Sequence, residues 1–67
     1  MSNLQVGFEV NVSLFEKEIE KEFFSKEKLL SIYGNLKVLE YRAFTDDDSS
    51  LAYSIQNYIL RLEEILV

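Results

Sequence analysis

Asp46, Asp47 and Asp48 form the densest run of carboxylates in the chain, and an oxygen-rich loop of this kind suits a hard cation such as calcium. The spacing Asp46-x-Asp48-x-Ser50 matches the opening of a calcium loop. The match then ends: Leu51 stands where the sharp turn calls for Gly, and Asn57 where a bidentate Glu would close the site. The triplet reads instead as a solvated helix entrance, where the amide dipoles favour negative charge. No metal site is assigned.

Catalysis would have to rest on carboxylates, Lys, Ser and Tyr. Glu16, Glu18, Glu20 and Glu22 are placed on a charged outer surface where water holds their acidity near normal, which makes them poor general acids at neutral pH. There is no His to activate a Ser, no Gly-rich phosphate loop and no nucleophile elbow. With neither Cys nor His, the chain also lacks disulfides and the thiolate or imidazole ligands of zinc and haem sites. The sequence therefore predicts a protein that is not an enzyme and carries no cofactor.

The elements that would hold these residues follow from hydrophobic spacing. Leu4, Val6, Phe8, Val10 and Val12 alternate with Gln5, Gly7, Glu9 and Asn11, the period of a half-buried strand. Ser13-Leu14-Phe15-Glu16 has the form of a capping box and starts a helix, which Gly34-Asn35 ends. Leu14, Phe15, Ile19, Phe23, Leu29, Leu30 and Tyr33 line its core side, while Phe24 points the other way. Lys26 falls within that stripe, its stem snorkelling to solvent. Residues 36–44 read as a second strand, and a last helix runs from about Ser50 to the C-terminus.

The expected fold class is a two-layer α+β, or small α/β, domain of βαβα order spanning residues 1–67. Both helices lie on one face of a two-stranded parallel sheet with a right-handed crossover. Two strands alone rarely make a stable sheet, and a chain of 67 residues gains little from one core, so dimerisation through a sheet edge is expected.

Surplus apolar surface points the same way. On the last helix Leu51, Ile55, Tyr58, Ile59, Leu62 and Leu66 form a core stripe, while Tyr53, Leu60 and Val67 recur every seven residues on the reverse side. Together with Phe24 these three are assigned to a partner or oligomer interface. Twelve acidic against seven basic residues leave a net charge of −5, which disfavours nucleic acid and anionic membrane as partners. Asp46, Asp47, Asp48, Glu63 and Glu64 form the candidate acidic contact surface.

The functional expectation is a cytoplasmic, non-catalytic interaction module that self-associates and binds another protein with a basic or apolar surface. Small inhibitors, antitoxins, immunity proteins and regulators of phage or plasmid origin work in this manner. Two alternatives compete with it. One is a self-assembling structural subunit, and the other a DNA mimic whose carboxylates present phosphate-like charge to a nucleic-acid-binding protein.

Overall fold

The computed structural model describes residues 3–67 and consists of three helices, α1 (Asn3–Ile19), α2 (Lys26–Thr45) and α3 (Ser49–Leu66). No strand occurs among the described residues, so the βαβα order is corrected to an all-helical bundle. The sheet edge expected to drive dimerisation disappears with it.

The physical reason lies in two polar residues. The four buried residues of α1, Phe8, Asn11, Phe15 and Glu18, follow half-buried Leu4 at spacings of four, three, four and three, as on one face of a helix. Because Asn11 and Glu18 occupy two of these positions, the helical period is invisible to hydropathy. The alternating Val6 and Val10 are instead exposed. In α2 the same spacing joins Leu29, Ile32, Leu36, Leu39 and Ala43 straight through the expected stop at Gly34-Asn35 and through the expected strand at residues 36–44. Ser13 lies inside α1 and caps nothing. Leu14, Phe23 and Leu30, expected in the core, are exposed, because α1 ends at Ile19 and a new helix begins at Lys26 in a different phase.

Each helix end has a local cause. Ser25 caps α2, its Oγ accepting from the Lys28 amide at 3.3 Å. At the other end, the Asp48 amide donates to the Ala43 carbonyl at 2.8 Å and the Asp47 amide to the Phe44 carbonyl at 3.1 Å. This is the Schellman arrangement, and Asp47 takes its left-handed position with φ 57°. Asp48 then caps α3, Oδ1 accepting from the Leu51 amide at 3.2 Å. Such short connections make α2 antiparallel to both neighbours.

The core is built from Phe8, Phe15, Leu29, Ile32, Leu36, Ala43, Leu51, Ala52, Ile55, Ile59 and Leu62, with Tyr33, Leu39, Tyr58 and Leu66 packed at its margin. On α3 the stripe read from sequence is the one that faces inward. Tyr58 joins α3 to α1 by edge-on contacts with Phe8 and Phe15, and the Arg61 guanidinium covers the Phe15 and Tyr58 rings at 5.2 and 5.0 Å. Within α1 the Asn11 amide donates to the Gly7 carbonyl at 2.8 Å, and from α2 the Asn35 amide donates to Asn11 Oδ1 at 3.1 Å. The Leu39 side chain packs close to Gly7. A Cβ on Gly7 would lie 3.3 Å from Leu39 Cδ2.

Candidate interaction surface

Four residues were assigned to an interface, and the bundle distributes them over its length. Tyr53 and Leu60 lie on the outward side of α3 and Val67 caps its C-terminus, all exposed, Tyr53 by 61 % and Leu60 by 51 %. Tyr53 and Leu60 stand about 10 Å apart along the helix at 1.5 Å per residue. Phe24 is not on a helix; it sits in the α1–α2 connection, 37 % exposed, while its neighbour Phe23 is 88 % exposed. Phe23, expected in the core, is therefore exposed, because that connection interrupts the helix from which both faces were read.

Sequence reasoning missed the contribution of α2. The Phe44 and Tyr53 rings meet edge-on at 6.4 Å, and the Tyr33 hydroxyl donates to Glu63 Oε2 at 2.7 Å. These two contacts fix the antiparallel register of α2 and α3. Phe44 and Tyr53 thus stand side by side on the exposed face of the pair, and exposed Leu60 follows Tyr53 two turns further along α3. With α2 taken for a strand after Gly34, no signal in the sequence could have joined Phe44 to this set.

The acidic residues divide into two groups with different duties. Asp46 ends α2, Asp47 supplies the left-handed turn and Asp48 caps α3, so this cluster holds the α2–α3 connection. Glu63 is half-buried against Tyr33, and that hydrogen bond, reinforced by desolvation, raises the Tyr33 pKa because it favours the neutral phenol. Glu64 is exposed and has no ion-pair partner among the described residues. A shallow hollow beside it is bordered by Leu60, Glu63 and Val67. No group of three or more acidic, His or Cys side chains converges on a metal-sized position among the described residues.

Glu18, expected on a solvated surface, is buried at the base of the α1–α2 connection. Its Oε2 accepts from the Ser25 amide at 2.8 Å and its Oε1 from Lys21 Nζ at 3.1 Å. The backbone hydrogen bond, with help from Lys21, holds this carboxyl below its ordinary value of 4.5. The group is thereby committed to structure.

Beside Glu18 runs an open groove of about 460 Å³ between α1 and α2. Leu14, Ile32, Ser31 and Asn35 line it together with Lys17, Lys21, Lys28 and the Glu18 carboxylate. Lys21 is engaged with Glu18, whereas Lys17 and Lys28 have no ion-pair partner among the described residues. On a chain of net charge −5 this groove is locally cationic. α1 also carries Glu9, Glu16 and Glu18, with Glu20 and Glu22 just beyond it, so the lysines of this groove are a local cluster.

Comparison with family models, with curated proteins and with solved structures yields no match. No helix among the described residues is long and apolar enough to cross a membrane.

Proposed function

We propose that the chain is a cytoplasmic, non-catalytic protein-interaction module that docks through the outer face of α2 and α3. The observation that carries this reading is the persistence of Phe44, Tyr53 and Leu60 as large exposed apolar side chains on one face, when eleven other apolar residues already fill the core. Single exposed apolar residues are ordinary, but a row on one face is the usual mark of a contact surface. Glu64 and Glu63 border the row, so the partner surface it fits is apolar with a basic rim. Asp46–Asp48 and Glu63–Glu64 stand at opposite ends of α3, some 22 Å apart by helix rise. That separation favours protein docking over mimicry of a continuous phosphate strip. Inhibitory, antitoxin, immunity or regulatory action would follow from occupying the partner's own working surface.

The test is capture from the native host with the wild-type chain and with Leu60→Asp or Tyr53→Asp, each checked for helicity by circular dichroism. A specific partner should be retained by the wild type and lost by both variants at unchanged helicity. Retention by both variants would remove the α2/α3 face from consideration.

A further inference from the structure

The basic groove and the acidic end of α3 lie on opposite flanks of α2, and their chemistries are complementary. Leu60 and Glu64 fall at i and i+4 of α3 and share one side of the helix, and Val67, which caps its C-terminus, borders the same hollow, so a carboxylate stands beside two apolar side chains. Across the molecule, the groove offers the inverse: Leu14 and Ile32 line it together with the ammonium groups of Lys17, Lys21 and Lys28, against the single carboxylate of Glu18. Resting on the reading of α3 as a docking face, we propose that its occupant is the α1/α2 groove of a second copy of this chain. Copies thus associate head to tail.

Charge argues for this pairing despite the net −5 on each copy. At physiological salt the screening length is about 8 Å, so repulsion between whole molecules is damped while contacts between Glu64 and the groove lysines are felt at short range. The contact joins two different surfaces. Each copy therefore keeps one of each kind free, and growth continues beyond the dimer unless a ring closes.

Two capping variants test the geometry. Lys17→Glu/Ser31→Glu reverses the charge of the groove while leaving Lys21 and Lys28 beside Glu18, and keeps the α3 face intact. Leu60→Asp spoils the α3 face and keeps the groove intact; Val67→Asp serves as its replacement should Leu60→Asp lose helicity. In analytical ultracentrifugation the wild type should exceed dimer mass as concentration rises. Each variant alone should self-associate at least about tenfold more weakly, since the groove variant sets like charge against Glu64 and Leu60→Asp replaces an apolar anchor with a carboxylate that must be desolvated. An equimolar mixture retains one intact contact and should stop at a heterodimer of twice 7.9 kDa.

A wild type that stays monomeric, a groove variant that self-associates as well as the wild type, or a mixture without heterodimer would each overturn the head-to-tail contact. The groove variant associating normally would indicate a symmetric α3-to-α3 dimer instead. None of these results touches the host-partner experiment, in which the α3 face is judged by capture of another protein. Saturable binding of a medium-chain fatty acid to wild type, abolished by the groove variant, with no self-association, would assign the groove to an amphiphile and overturn the proposal.

Discussion

Gly34 separates the two ways of folding this chain, and replacing it with Ala turns the difference into a sign. In the bundle Gly34 lies in the middle of α2 with no positive φ, and a Cβ built on it meets nothing within 4 Å. Glycine in such a position costs about 0.5–1 kcal/mol relative to Ala, because its larger unfolded freedom must be lost without any contact in return. Were Gly34 instead the left-handed terminus of a shorter helix, Ala would be the unfavourable residue by about 1–2 kcal/mol. For a chain of this length 1 kcal/mol moves the midpoint by roughly 4–8 °C, so Gly34→Ala should raise Tm by about 2–8 °C. Asp47→Gly provides the converse, since the left-handed position of the Schellman turn is there occupied by a residue with a Cβ; its gain should be smaller, a few tenths of a kcal/mol or more, because Asp tolerates this conformation better than most. The sites lie about 20 Å apart along α2, and their effects should add. Thermal and urea denaturation followed by circular dichroism at 222 nm is sufficient. A fall in Tm for Gly34→Ala would refute the continuous α2 and restore a chain break at that residue.

Phe15→Ala or Leu62→Ala, both fully buried, should cost on the order of 2–5 kcal/mol, against a total of roughly 3–10 kcal/mol for a domain this size. Leu14→Ala and Leu30→Ala, exposed despite their place in the sequence stripe, should change stability by less than about 0.5 kcal/mol in urea melts. Asp48→Ala removes the α3 cap and should cost about 1 kcal/mol, while Asp46→Asn, whose carboxylate caps nothing, should stay within about 0.5 kcal/mol. The Glu18 carboxyl is held below its ordinary value by Ser25 and Lys21, so its stabilising effect is complete above pH 4.5 and lost as pH falls through the lower folded value. Acid melting of the wild type should therefore have a component that Glu18→Gln lacks, and superimposable acid titrations of the two proteins would count against the buried contact.

How much was legible in the sequence differs by helix. On α3 the core stripe is apolar at nearly every inward position, so Leu51, Ile55, Ile59 and Leu62 could be read directly, and Tyr53, Leu60 and Val67 stood out as its reverse side. On α1 the inward face includes Asn11 and Glu18, and the β-branched residues at Val6, Val10 and Val12 imitate a strand. What overrides that local imitation is tertiary: Asn35 and the Ser25 amide supply partners that make a buried amide and a buried carboxylate tolerable inside a helix pair.

The sequence by itself determined a short acidic chain without thiol or imidazole chemistry, with a helix entrance at Asp46–Asp48 and an apolar row on the outside of its last helix. Only the tertiary structure decided that Phe44 joins that row, that Phe23 and Phe24 belong to a connection, and that lysines from α1 and α2 gather around one groove. The reason is physical. Composition and capping chemistry act within a few residues, whereas a surface shared by two antiparallel helices depends on their register, and that register is set by contacts such as Tyr33 with Glu63, thirty residues apart.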